Sequence, residues 1–309
     1  MSAVTCGLGP YFATSVALPG ARRGRGFGKK TMALIEASVA FLEGIQPAGV
    51  RAVAYQLFNR RLISNMGKNE TDKVSRALTT ARERGLIPWE WIVDETREIT
   101  GWRVWSNPGE YAEEVMNNYY RDWWVDQPER ILVISEKGTV GGTLRPILQE
   151  YRVKFLIFHG FGSATALNDL ARMSQEDDRP LTLLYVGDHD PSGRHMSDID
   201  IPERLDRYGG EAKLIRLAVT PEHIAHFDLS TFPARDKAKD ARYRWFVHTH
   251  GETCCELDAL DPNVLRDLIE GAITDRIAWD RWHAAQADEN GERATIRENL
   301  KTLKEMQWL

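Results

Sequence analysis

Apolar side chains in residues 31–45, TMALIEASVAFLEGI, recur at intervals of three and four, and the run stops at Gln46-Pro47. That pattern predicts an amphipathic helix ended by proline. A second helix is expected at about 48–63. A third starts at the capping cluster Asn69-Glu70-Thr71-Asp72 and runs through VSRALTTARERG to the helix-stopping Gly85. Residues 86–105, LIPWEWIVDETREITGWRVW, then alternate bulky and polar side chains in two short runs separated by polar turn chemistry, as a hairpin does. Three helices followed by a hairpin predict a winged helix, which lays one helix in the DNA major groove. An unrelated helical module is the competing reading.

Residues 109–126 read as a connecting helix rich in Tyr and Trp, with a boundary at Asp126-Gln127-Pro128-Glu129. Beyond it the period changes. ILVISE (131–136), KFLIFHG (154–160), LTLLYVGD (181–188) and KLIRLAV (213–219) are short continuous apolar runs separated by segments of helical length. Strands of that kind alternating with helices predict a parallel sheet covered on both faces. Residues 262–309 read as helical again, LRDLIEGAI most strongly. The expected organisation is α/β: a flexible basic arm over 1–29, a winged-helix DNA-binding domain over 30–107, a connecting helix over 108–128, and a Rossmann-like, mainly parallel-sheet domain with C-terminal helices over 129–309.

Composition narrows the class. No apolar run approaches the roughly 18 to 20 residues of a membrane helix, and the basic cluster Arg22, Arg23, Arg25, Lys29, Lys30 follows the mildly apolar N-terminal stretch, the wrong order for a secretory signal. A cytoplasmic, nucleoid-associated protein with no membrane partner is expected. Cys6, Cys254 and Cys255 make no CxxC pair and no disulfide framework. Cys254-Cys255 near His248 and His250 matches no common zinc spacing, so packing is the favoured role. The net charge of −5 hides a segregation: residues 22–87 hold thirteen Lys/Arg against five Asp/Glu, a local +8, which leaves −13 for residues 88–309. A basic first part and an acidic second part suit nucleic acid in one domain and metal cations in the other. Chance differences between helix surfaces are the plainer alternative.

Two of the predicted strands end in carboxylates: Glu136 closes ILVIS, and Asp188 and Asp190 follow LLYVG. Side chains two apart in extended chain point the same way, so Asp188 and Asp190 can face one ion, and all three acids fall where open α/β sheets gather ligands. Oxygen-only ligands select a hard cation, Mg²⁺ first and Mn²⁺ as a substitute. Asp-His-Asp-Pro-Ser-Gly is equally a plain turn after a strand. Asp198 and Asp200 fall on the following helix or its end, as outer or merely solvated acids, and His189, between the two aspartates, should point away from them. The tract Glu136 to Thr143 lacks the GxxxxGK[ST] order, so ATP binding is not inferred.

The strand ending in Glu136, the Asp188-His189-Asp190-Pro191-Ser192-Gly193 loop, and the RLAVTPEHIAHFDL and ELDALDP segments together resemble the Toprim domain of the A subunit of type IIB DNA topoisomerases and of the related meiotic double-strand-break transesterase. That family joins a winged helix to a C-terminal Toprim domain in the same order, and the resemblance covers about residues 30–280. It implies metal ligation by Glu136, Asp188 and Asp190. It also implies a tyrosine nucleophile at Tyr55, in the stretch Arg51-Ala52-Val53-Ala54-Tyr55, where Ala54 stands in place of the family's first tyrosine. A phenol with a pKa near 10 needs help to attack at neutral pH. Arg51, one helical turn earlier on the same face, could stabilise phenolate or phosphate. A tyrosine among Val53, Leu57 and Phe58 is also an ordinary core residue.

The resemblance implies metal-dependent cleavage of double-stranded DNA by transesterification, with Tyr55, Arg51 and Glu136 catalytic, in a homodimer that draws tyrosine and metal from different protomers. Strand passage would need a separate ATPase B-type subunit. Two alternatives stay open: a Toprim nuclease that hydrolyses DNA with Tyr55 structural, and a DNA-binding module without catalysis. Gly160, Phe161 and Ser163 are lesser candidates beside the metal, and Lys237, Lys239 and Arg242 lesser phosphate contacts against a solvated loop; His223 and His226 read as structural.

Overall fold

In a computed structural model of the chain, which describes residues 28–93, 104–158 and 164–305, the first predicted helix is α1 (Lys29–Ile45). A two-residue strand, β1 (Ala48–Gly49), leads into α2 (Val50–Asn59), and α3 (Lys68–Glu83) follows. The third helix starts ahead of the expected capping cluster: Gly67 is its N-cap, and Gly67 N–H donates to Asn65 Oδ1 at 2.9 Å. Beyond the helix the chain turns through Gly85 at φ +71°, a left-handed conformation that glycine adopts without steric cost. The apolar stripes of the three helices close on one core containing Ile35, Leu42, Val53, Leu57, Val74 and Leu78. Each such side chain contributes roughly 1.5–3 kcal/mol by leaving water.

The tract expected to form a hairpin opens instead with a single 3₁₀ turn at Trp89–Trp91. Its Ile92–Val93 (β2) pairs in parallel with Ala48–Gly49. Residues 94–103, which hold most of the second expected run, lie outside the described residues, as does the expected arm up to residue 27. After them comes α4 (Pro108–Asn117), N-capped by Asn107.

All four apolar runs become strands of one sheet: β3 (Arg130–Ser135), β4 (Lys154–Ile157), β5 (Leu181–Val186) and β6 (Lys213–Ala218). Every pairing is parallel and the order is β4-β3-β5-β6. Helices α5 (Gly141–Glu150), α6 (Ala164–Gln175), α7 (Pro191–His195) and α8 (Ile201–Arg207) occupy the crossovers. Leu132, Ile134, Leu183 and Tyr185 pack on one face against Leu167 and Leu170 of α6 and Leu205 of α8. All six residues of β5 are buried, which is why it reads as a continuous apolar run instead of an alternating one. Downstream lie α9 (Pro221–His226), the antiparallel pair β7 (Thr231–Pro233) and β8 (Thr253–Cys255) with α10 (Tyr243–His250) between them, then α11 (Pro262–Thr274) and α12 (Trp279–Glu305).

The fold is thus α/β around a four-stranded parallel sheet. Its described residues fall into two compact units. The described parts of Phe27–Glu98 and Asp126–Ala278 form one unit, so the helical layer and the sheet belong together. The described parts of Ile99–Val125 and Trp279–Leu309 form the other, so the expected connector and the last helix pack on each other. The aromatic residues after α4 account for that pairing: Trp123 meets Trp282 edge to face at 5.0 Å and donates its Nε1–H to Glu289 at 2.8 Å, and Tyr119 donates to Glu292 at 2.6 Å. Among the described residues no helix is long and apolar enough to cross a membrane.

Candidate active site

The strand order places a crevice at the carboxyl ends of β3 and β5. The chain passes from β3 outward to β4 and then returns to the other side of β3, which makes this the switch point where open α/β sheets bind ligands. Ser135 pairs with Val186, so Glu136 and the Asp188 loop leave the sheet side by side. Asp188 and Asp190 are 8% and 4% exposed. Glu136 accepts the backbone N–H of Asp188. Asp190 is the N-cap of α7, its Oδ1 accepting Gly193 N–H at 2.7 Å. Gly193 packs tightly between this loop and Glu136: a Cβ there would lie 2.4 Å from the Asp188 backbone carbonyl oxygen and 3.0 Å from Glu136 Oε1, so only glycine fits. His189 lies between the aspartates and turns the other way. Its backbone exchanges hydrogen bonds with Cys255 at 2.8 and 2.9 Å, and its ring stands 5.4 Å from Phe246, as alternation in extended chain requires.

Arg216, on β6, fastens this loop from behind. Its guanidinium donates to Gly187 O at 2.9 Å, Gly193 O at 3.1 Å, Ser197 Oγ at 2.8 Å and, through a shorter contact, Asp188 O. One planar donor thus ties together three carbonyls of the acid loop, of which Gly187 O also accepts Val219 N–H at 2.8 Å and Gly193 O the Tyr185 hydroxyl at 3.3 Å.

Three cations reach the acids. Lys137 Nζ lies 2.7 Å from Asp188 Oδ1, 3.1 Å from Asp258 Oδ2 and 3.4 Å from Glu256 Oε2. Lys237 Nζ is 3.2 Å from Asp190 Oδ2. Arg51 of α2 pairs with Glu256 and, at 3.3 Å, with Asp258. Burial disfavours the charge on Lys137, yet Asp258, Asp188 and Glu256 hold its ammonium above the ordinary lysine range. Burial likewise works against Glu256, but Lys137 and Arg51 keep its carboxyl below the usual carboxylate range. Glu136 has no such counter-ion in an ion pair among the described residues. Burial, then the charges of Asp188 and Asp190, push its carboxyl up to about 7.

The donor set has the chemistry of a hard-cation site: carboxylate oxygens only, at a sheet's carboxyl edge, with negative charge incompletely balanced. Among the described residues, no three His, Cys, Asp or Glu side chains are preformed as a metal cage. The aspartates are turned instead to protein partners, Asp188 Oδ1 to Lys137 and to Leu257 N–H at 2.7 Å, and Asp190 to Gly193 and Lys237. Lys137 and Leu257 N–H both fall on Asp188 Oδ1 and not on Oδ2.

Tyr55 lies on α2, 5% exposed, in contact with the charged network through Arg51, whose Cζ is 5.8 Å from its ring centre. Burial, and then the charge of Glu256, hold the phenol above its ordinary value. A chain of ion pairs therefore runs from Arg51, beside Tyr55, through Glu256, Asp258 and Lys137 to Asp188. These linking residues, with Arg216, are not identifiable as site residues from sequence. Arg216-Leu217-Ala218 and the Glu256–Leu260 segment enter the resemblance as motifs without roles, and Lys137 has only its place next to Glu136 as a signal.

The lesser candidates separate. Lys237 is drawn to Asp190, whereas Arg242 pairs with Asp240 at 3.3 Å. Asp198 is held by Arg194 at 2.9 Å and His250 at 3.2 Å, and Asp200 by Arg204 at 3.2 Å, so both serve helix ion pairs. Cys254 and Cys255 are buried, each thiol pushed up to about 12 by burial first, as packing residues are. Gly160, Phe161 and Ser163 lie outside the described residues. Neither a protein-family model nor a curated protein matches this chain in sequence.

Proposed function

We propose that this chain is a metal-dependent DNA-cleaving transesterase, a winged-helix domain joined to a Toprim domain in the manner of type IIB topoisomerase A subunits. The observation that carries the reading is the adjacency of Glu136 and the Asp188–Asp190 loop at the carboxyl ends of two neighbouring central strands, near enough for the charges of Asp188 and Asp190 to raise the Glu136 carboxyl. A bound divalent cation, Mg²⁺ or Mn²⁺, would stabilise charge on a phosphodiester under attack. Tyr55 is the nucleophile: its oxygen forms the new bond to phosphorus, its proton leaves to solvent or a neighbouring base, and a deoxyribose oxygen departs and is protonated. Arg51 neutralises charge next to that oxygen. Lys237, more exposed than the acids it touches, exchanges Asp190 for a DNA phosphate when metal binds. Double-stranded DNA is the partner. The active form is a homodimer, a separate ATPase subunit serves strand passage, and the protein works on cytoplasmic, nucleoid DNA.

The test uses purified protein, supercoiled plasmid and Mg²⁺ or Mn²⁺, resolved with and without proteinase. Cleaved DNA that enters the gel only after proteinase supports transesterification. Tyr55→Phe abolishes that product, and Asp188→Ala abolishes all cleavage. Cleavage retained in Asp188→Ala overturns the metal assignment.

One observation favours a second reading, hydrolysis at the same acids with Tyr55 structural. The tyrosine is nearly buried and its phenol is held protonated, while Arg51 is engaged by Glu256 and Asp258. Protein-free 5′-phosphate ends that persist in Tyr55→Phe would decide for it.

A further inference from the structure

The Lys137 ammonium lies among three carboxylates from two separate loops, at 2.7 Å from Asp188, 3.1 Å from Asp258 and 3.4 Å from Glu256. Asp188 is the shared member, since it belongs both to this cage and to the proposed metal ligands. Two-metal phosphoryl-transfer centres use one bridging carboxylate in the same way, with ions about 3.5–4 Å apart.

We infer that Lys137 is a resident cation, taking the place a second divalent ion would hold between Asp188 and the Glu256–Asp258 pair and so limiting the centre to one metal. The inference rests on the metal reading proposed above. Three features of the cage support it. The carboxylates are buried or half-buried, so their charge demands a partner that stays. Arg51 approaches the same two acids from α2, so the pair Glu256–Asp258 is balanced without an exogenous ion. Lys137 and Leu257 N–H both engage Asp188 Oδ1, which fixes this carboxylate through one of its two oxygens. Lys137 is therefore a positioning residue: it acts on the phosphate through Asp188.

The experiment counts Mn²⁺ bound per chain by electron paramagnetic resonance, in the absence of DNA, with circular dichroism confirming the fold of each variant. The wild type should saturate at one ion. Lys137→Met, which removes the charge but keeps much of the volume, should take up two, and Lys137→Arg should return to one. Two ions in the wild type or in a folded Lys137→Arg overturn the inference even if Lys137→Met does not fold. One ion in both the wild type and a folded Lys137→Met overturns this inference alone, leaving the metal reading standing. No ion in the wild type overturns the metal reading and the inference with it.

Discussion

Glu136 shows how one side chain couples the site to pH. Its carboxyl titrates at about 7 instead of its ordinary value of 4.5 because it is buried beside Asp188 and Asp190. A raised folded-state pKa contributes stability that is fully present below the unfolded value and is lost as pH rises through the folded one. The metal-free chain should therefore lose thermal stability between about pH 5 and 8 through this group, and Mg²⁺, which favours the carboxylate, should restore it. In Mn²⁺ titrations the apparent affinity should fall about tenfold per pH unit below 7 as protons compete for this ligand. Glu136→Gln should flatten both dependences. An Mn²⁺ affinity unchanged from pH 8 to 5.5 would remove Glu136 from the ligand set. The place of Glu136 at the end of a strand was readable from the apolar run before it. Its lack of a counter-ion was not, because the cations that serve its neighbours come from residues 51, 137 and 237, and only folding determines which carboxylates they reach.

At the scale of elements, the sheet was legible because burial on both faces demands unbroken apolar runs, and each of the four runs became a strand. Leu184, fully buried in the central strand β5, tests that argument: Leu184→Ala should cost roughly 2–5 kcal/mol in urea denaturation, from lost transfer energy and the cavity left behind. A loss under about 1 kcal/mol would mean that the strand is not packed on both sides. The tract 86–105 was harder to read. Alternation predicts extended chain but not its partner, and Ile92–Val93 lies parallel to Ala48–Gly49, more than 40 residues earlier in the sequence. The start of helix α7 was ambiguous for a different reason. Asp, Pro, Ser and Gly suit a turn as well as a helix start, and the choice came from Asp190 capping Gly193 while Arg216 gathered the loop's carbonyls.

For the whole molecule, the segregated charge makes a prediction that no single residue carries. Residues 22–87 hold a net +8, and Arg60, Arg61, Lys68, Lys73, Arg76 and Arg84 among them are exposed. If this region grips duplex DNA, log K should fall linearly with log salt, with a slope of about −0.9 for each phosphate neutralised. Paired charge reversal at Arg60 and Arg61 should make the slope shallower by about 2 without unfolding the chain. A slope near zero in the wild type would detach the basic region from nucleic acid. What local order along the chain settled is the succession of elements and the three acids at strand ends, because periodicity, capping and strand termination are properties of neighbouring residues. What required folding is the network itself: Arg51 on Glu256, Lys137 among Asp188, Glu256 and Asp258, and Arg216 behind the acid loop. These are unions of residues up to 205 positions apart, formed because buried charges and carbonyls need partners that the order of strands alone can deliver.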